Sequence, residues 1–152
     1  MSDAPKTEDL HRLVYYSRNR LTGAPEQTAA EIRTILAASQ TNNARVGVTG
    51  ALMFNAGCFA QVLEGPQAAI ETTFERIQQD ERHGEVFLLA FEPSAARAFD
   101  GWSMGFVGAS VDDAARYGQI AGESGYDPAR MTGDELFRTL QTLALEEERV
   151  MA

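Results

Sequence analysis

"VGVTGALMFNAGCFAQVLEGP", residues 46–66, holds two runs rich in apolar, β-branched and aromatic residues, parted by a short turn containing Gly57. The first run (46–54) and the second (from Cys58) read as two strands of a hairpin. What flanks the hairpin decides the fold. Upstream, "HRLVYYS" (11–17) is a further strand, and "RNRLTGAPEQ" is a loop with Gly23 and Pro25. A helix is predicted from about Glu26 to Gln40, with Ile32, Ile35, Leu36 and Ser39 at i, i+3, i+4 and i+7. The two asparagines of "TNNAR" are expected to end it.

Downstream, "GPQAAIETTFERIQQDERHG" (65–84) is predicted to be a helix. Pro66 suits its first turn, Ile70, Phe74 and Ile77 form its apolar stripe, and Gly84 marks its end. "EVFLLAFEP" (85–93) and "WSMGFVG" (102–108) read as strands four and five, joined by "SAARAFDG". The order β-α-β-β-α-β-β is an α+β, ferredoxin-like arrangement with one added strand: a five-stranded mixed sheet. Right-handed crossovers put both helices on one face. The other face then needs a cover, which residues 109–152 can supply. "TGDE" (132–135) reads as a capping box opening a helix whose apolar side is Phe137, Leu140, Leu143 and Ala144. That side can pack on the bare sheet face or on a partner chain. The chain therefore divides into a polar tail (1–10), a core domain (11–108) and a helical extension (109–152).

The 152 residues suit one domain with an appendage, and 44% hydrophobic content is enough for a core. No apolar run approaches the roughly 20 residues of a membrane span. "MSDAPKTEDLHR" lacks the basic and apolar regions of a secretory signal. Cys58 is the one cysteine, so no internal disulfide or Cys-based metal cluster is expected, and no metal site is assigned. These features point to the cytoplasm. A formal charge of −9 disfavours nucleic acid as a partner.

Side chains alternate along a strand. Phe59, Gln61 and Leu63 therefore share one face of strand three, with Cys58, Ala60, Val62 and Glu64 on the other. Tyr15 and Gln61 are expected to point toward the helices from neighbouring inner strands. A slot between the helices is then lined by Ile32, Ile35, Phe59 and Leu63. Tyr15, Asn42, Asn43 and Gln61 converge on it, with Arg76 and His83 of the polar stripe Arg76–Asp80–His83 nearby. Each polar residue has a plainer explanation: a satisfied core tyrosine, a helix cap, a surface ion-pair network. Gln61 has the fewest, because a buried amide without partners costs about 1–3 kcal/mol. Either the protein satisfies it or a ligand does. An apolar slot with a few oriented polar groups suits a planar heterocycle.

Taken together, "LVYYSRN" (13–19), "NNARVGVTGAL" (42–52), "GCFAQVLEGP" (57–66), "ERIQQDERH" (75–83) and "RAFDGWSMG" (97–105) resemble the BLUF family, blue-light receptors that use FAD. Each motif alone is weak, but the ordered set is specific. The resemblance implies that Tyr15 is the redox-active tyrosine and that Gln61 lies between it and flavin N5/O4. It implies that Asn43 bonds the flavin carbonyl O4 and that Asn42 lies near the pyrimidine side. Asp80 and Arg82 match polar positions near that end of the ring, and His83 and Arg76 are near matches. Trp102 and Met104, on one face of strand five, match the pair that moves near the glutamine. Ala60 is smaller than the Phe or Leu often found there, and adjusted packing on the far side of the sheet is expected.

The resemblance further implies non-covalent FAD and light-driven transfer of an electron and a proton from Tyr15. The Gln61 hydrogen bonds then rearrange, and a signal passes through strand five to the C-terminal helices. No fused output enzyme is expected, and the chain is expected to act on another protein, by analogy a response-regulator-like one, as a homo-oligomer and not as an enzyme. The alternatives are a flavin-free interaction module and an acylphosphatase-like hydrolase, for which "RNRLTG" offers only loose similarity.

Overall fold

A computed structural model describes residues 9–18, 24–55, 58–79, 85–107, 111 and 128–151. In chain order the elements are β1 (Leu10–Arg18), α1 (Pro25–Val46), β2 (Thr49–Asn55), β3 (Cys58–Pro66), α2 (Gln67–Gln79), β4 (Val86–Pro93) and β5 (Gly105–Phe106). A 3-10 turn (Pro128–Arg130) then precedes α3 (Gly133–Met151). The strands lie in the order β4-β1-β3-β2-β5. All neighbours are antiparallel except β2 and β5, which run parallel. This is the mixed ferredoxin-like sheet expected from the element order.

Alternation along each strand divides the interior into two layers. Leu13, Tyr15, Leu52, Phe59 and Leu63 face α1 and α2, meeting Ile32, Ile35 and Ile70. Val14, Ala51, Ala60 and Val62 face the other way and meet Phe99, Leu136, Leu140 and Ala144. α3 thus covers the second face of the sheet, the first of the two placements open from sequence. Its start is the capping box: Thr132 Oγ1 accepts the Glu135 N–H at 3.1 Å, and Glu135 Oε1 accepts the Thr132 N–H at 2.9 Å. Arg12 of β1 lies 3.8 Å over the Phe137 ring, tying the helix to an inner strand. In β4, one extra residue opposite the Val14–Tyr15 step forms a bulge. Leu89 and Ala90 consequently both pack in the α3 layer.

Four boundaries differ from expectation. α1 runs to Val46, so the asparagine pair lies inside its last turns. The stop is Gly47, in the left-handed region at φ 76°, and the Asn43 carbonyl accepts both the Gly47 and the Val48 N–H. Accordingly β2 begins at Thr49. Pro66 ends β3, directly ahead of α2. Strand five, expected over 102–108, is Gly105–Phe106 among the described residues, with Gly108 outside them. Gly101, at φ 85°, turns the chain there, and the Trp102 N–H bonds the Phe99 carbonyl at 3.0 Å, so residues 99–102 form a turn and no ladder.

Candidate functional site

β1 and β3 are the inner strands, and their register sets Tyr15 directly against Gln61. Both are sealed from solvent, at 0% and 2% exposure. The Tyr15 hydroxyl donates to Gln61 Oε1, and Gln61 Nε2 donates to Met104 Sδ at 3.2 Å. The question raised by a carboxamide in an apolar strand is therefore answered in part by the protein. A thioether is a weak acceptor, whereas the amide has two N–H groups and a carbonyl with two lone pairs. A phenol both donates and accepts, so either end of the amide can face Tyr15. That ambivalence suits the pair to a hydrogen-bond switch.

A second group of amides comes from α1. Asn43, 1% exposed, donates from Nδ2 to the Ser103 carbonyl at 2.9 Å, and Gln40 Nε2 donates to the Met104 carbonyl at 2.9 Å. Both asparagines project from a helix and not from a cap. Asn42 is half-buried, its Oδ1 accepting from Arg45 at 3.5 Å. Ile32, Ile35, Phe59 and Leu63 lie in the helix-side layer beside Tyr15, whose ring meets Phe74 of α2 at 5.4 Å between centroids. α1 and α2 both rest on the same sheet face. Leu36 of α1 and Phe74 and Ile77 of α2 stay half-exposed. Apolar surface is thus left on both helices.

Arg76 is exposed near the end of α2. Asp80, Arg82 and His83 fall outside the described residues. The expected pairing of Trp102 with Met104 is corrected. Met104 enters the helix-side layer, while Trp102 packs in the α3 layer against Phe99. The i, i+2 rule presumes a strand, and residues 102–104 are not one. Trp102 lies so close over Gly105 that a Cβ there would come 2.0 Å from an indole carbon. Of the pair, it is Met104 that bonds Gln61.

Sequence reading missed Gln40, Arg97 and Glu64. Glu64 is fully buried, and its carboxylate accepts the N–H groups of Ala98 (2.6 Å) and Phe99 (3.0 Å) and the Thr49 hydroxyl (3.2 Å). Its signal was present: a carboxylate in an apolar strand raises the same question as Gln61. Among the described residues, no cluster of His, Cys, Asp and Glu could hold a metal, and no helix is long and apolar enough to cross a membrane.

The family model for sensors of blue light using FAD matches residues 10–105. The chain belongs to the BLUF family. It is 32% identical over 97 residues to the photoactivated adenylate cyclase subunit beta of Euglena gracilis, a match spanning 63% of this chain and 11% of that protein. It is 31% identical over 90 residues to the blue light- and temperature-regulated antirepressor BluF of Escherichia coli K12, covering 59% of this chain and 21% of the relative. Each match is thus a small part of the curated relative. Solved structures match at greater length. BlrB, a BLUF protein in its dark state, is 34% identical with a TM-score of 0.66, covering 90% of this chain and 98% of that one. BlsA in its ground state is 28% identical with a TM-score of 0.72, covering 88% and 87%.

FAD is the cofactor by which BLUF domains sense blue light. The residues here fit the flavin ring. The groups on the sheet and on α1 are neutral amides and a phenol, donors and acceptors both, suited to the carbonyls and ring nitrogens of an uncharged heterocycle. The half-exposed side chains of Leu36, Phe74 and Ile77 supply apolar flanks.

Proposed function

We propose that this chain is a blue-light photoreceptor in which Tyr15, Gln61 and Met104 form the switch. Bound flavin supplies a light-excited oxidant, chemistry no side chain has. Tyr15 is the residue able to give up an electron and then its phenolic proton, and Gln61 is the group in contact with it. Turning or tautomerising the Gln61 amide exchanges the ends it offers to Tyr15, to Met104 and to the ring. Asn43 and Asn42 would hold the ring's polar edge and Ile32, Ile35, Phe59 and Leu63 its body; by resemblance alone, Asp80 and Arg82 would serve the same pyrimidine end, with Arg76 and His83 as near matches.

The rearranged bonds at Gln61 reach Met104, and the chain from Met104 leads through β5 toward α3. Trp102 takes part from the opposite layer. The output is contact with another protein, of response-regulator-like kind, by a cytoplasmic homo-oligomer without enzymatic activity of its own. The observation that carries the reading is the buried Tyr15–Gln61–Met104 chain within a BLUF match. The test is an absorption spectrum of purified protein in darkness, after blue light and during recovery. Yellow protein whose flavin band moves reversibly to the red supports the reading. Colourless protein favours the flavin-free interaction module.

A further inference from the structure

We infer that Glu64 is a positioning residue for the Gln61–Met104 contact, an inference that rests on the photoreceptor reading above. Residues 97–104 reach Gln61 with no ladder to guide them, since β5 starts only at Gly105. They are fixed by single bonds instead. At the start, the Glu64 carboxylate holds the Ala98 and Phe99 N–H groups, as described. Arg97 braces the same corner: Nη1 donates to Thr49 Oγ1 (2.9 Å) and to the Glu64 carbonyl (3.2 Å), and Nη2 to the Gly47 carbonyl (2.8 Å). The turn follows, with the Trp102 N–H on the Phe99 carbonyl and the Gly50 N–H on the Trp102 carbonyl, both at 3.0 Å. At the far end, Asn43 and Gln40 hold the carbonyls of Ser103 and Met104, and the Met104 sulfur meets Gln61.

The path leaves β3 at Gln61 through a side chain and returns to β3 at Glu64, three residues on, through another. The two side chains point to opposite faces of the sheet, so segment 98–104 wraps past the edge of the hairpin and joins the layers. Phe99, held by Glu64, faces the ring of Phe137 on α3 at 6.2 Å. The carboxylate therefore sets, from the α3 side, where the sulfur sits on the flavin side. A carboxylate suits this corner because it only accepts, and here it meets two N–H donors and a hydroxyl. In Glu64→Gln the shape is kept, but whichever way the amide lies, its NH2 confronts one of those N–H groups.

The test has two readouts. In flavin-free protein, amide hydrogen exchange at Ala98, Phe99 and Trp102 is expected to quicken at least about tenfold in Glu64→Gln, while β1 amides hold their protection. In the flavin-loaded protein, dark recovery after blue light is expected to speed by about fivefold, the rate equivalent of one ordinary hydrogen bond. Met104→Ala is expected to recover fast as well, and the double variant no faster than Met104→Ala alone, because the acid acts through the sulfur. Arg97→Met, changing a less buried brace, is expected to follow the same pattern more weakly should Glu64→Gln fail to fold. Leu140→Ala, which loosens the packing under α3 but removes none of the clamp's hydrogen bonds, is expected to melt earlier yet recover at the parental rate. Unchanged exchange at Ala98 and Phe99, parental recovery in both clamp variants, or multiplying effects in the double variant would overturn the inference. A parental protein that shows no light-induced shift refutes the photoreceptor reading instead, and the exchange arm still decides whether the clamp exists.

Discussion

Removing one oxygen at Tyr15 separates the structural role of this residue from its photochemical one. In Tyr15→Phe the ring keeps its packing against Phe74 and its place in the helix-side layer. What disappears is the donor to Gln61 Oε1, an atom in a residue only 2% exposed. A buried acceptor stripped of its donor costs about 1–3 kcal/mol. At about 2–4 °C per kcal/mol for a chain of this size, the melting temperature is expected to fall by a few degrees up to roughly 10 °C. That is small beside the roughly 5–15 kcal/mol of a typical domain, so the variant stays folded. Its flavin band should persist, since the hydroxyl is one polar contact among several and the apolar flanks are untouched. The light-induced red shift should be lost, because no phenolic proton remains to give. Calorimetry and a light-minus-dark spectrum on one sample read all three quantities. A variant with a normal reversible shift refutes the role given to Tyr15. One that folds but no longer holds flavin makes Tyr15 a binding residue and refutes the separation argued here.

Gln61→Leu removes donor and acceptor together, so no stable red-shifted state should form on illumination, as read by steady-state absorption. Leu140→Ala opens a cavity under α3 at a fully buried position and should cost about 3–5 kcal/mol, measured by denaturant unfolding. Thr132→Ala removes the hydroxyl of the capping box and should cost about 1 kcal/mol by the same method. Gly105→Ala drives a methyl into the indole, so Trp102, the single tryptophan, must leave its seat, and its fluorescence maximum should move.

The sheet was legible because every strand but the last carries apolar residues in runs that only an inner or half-covered strand would need. The hairpin at 46–66 between two helical stripes then left few topologies. Alternation and the inferred topology put Tyr15 and Gln61 on one face of neighbouring inner strands, and the register that sets them opposite came only with the structure. Asn42 and Asn43 were misjudged as a helix end because asparagine competes locally with helical backbone. At Asn43 that competition is absent, since its side chain is engaged by Ser103 and the true stop is Gly47. The strand-five error has a related cause. Trp102, Met104 and Phe106 alternate as a strand would, but the chain there turns at Gly101 and is held by Glu64 and the α1 amides, contacts 34 to 64 residues away in sequence. Periodicity cannot register a bond to another element. Glu64 could have been found from its setting, since a carboxyl side chain within "FAQVLEG" demands partners as insistently as an amide does.

The bulge in β4 has a bearing on how copies of this molecule can meet. β4 and β5 are the two margins of the sheet. β5 is two residues long, too short to template another strand. β4 is interrupted by its bulge, and at that point the first residue of α3 presses close, with Gly133 so near Ala90 and the Leu89 carbonyl that a Cβ would lie about 3.1 Å from each. Among the described residues, neither border offers a long, flat row of amides for a neighbour to zip onto. A second copy meeting these borders would therefore engage side chains of helices and loops, surfaces that can come apart and re-form, and not a continued ladder.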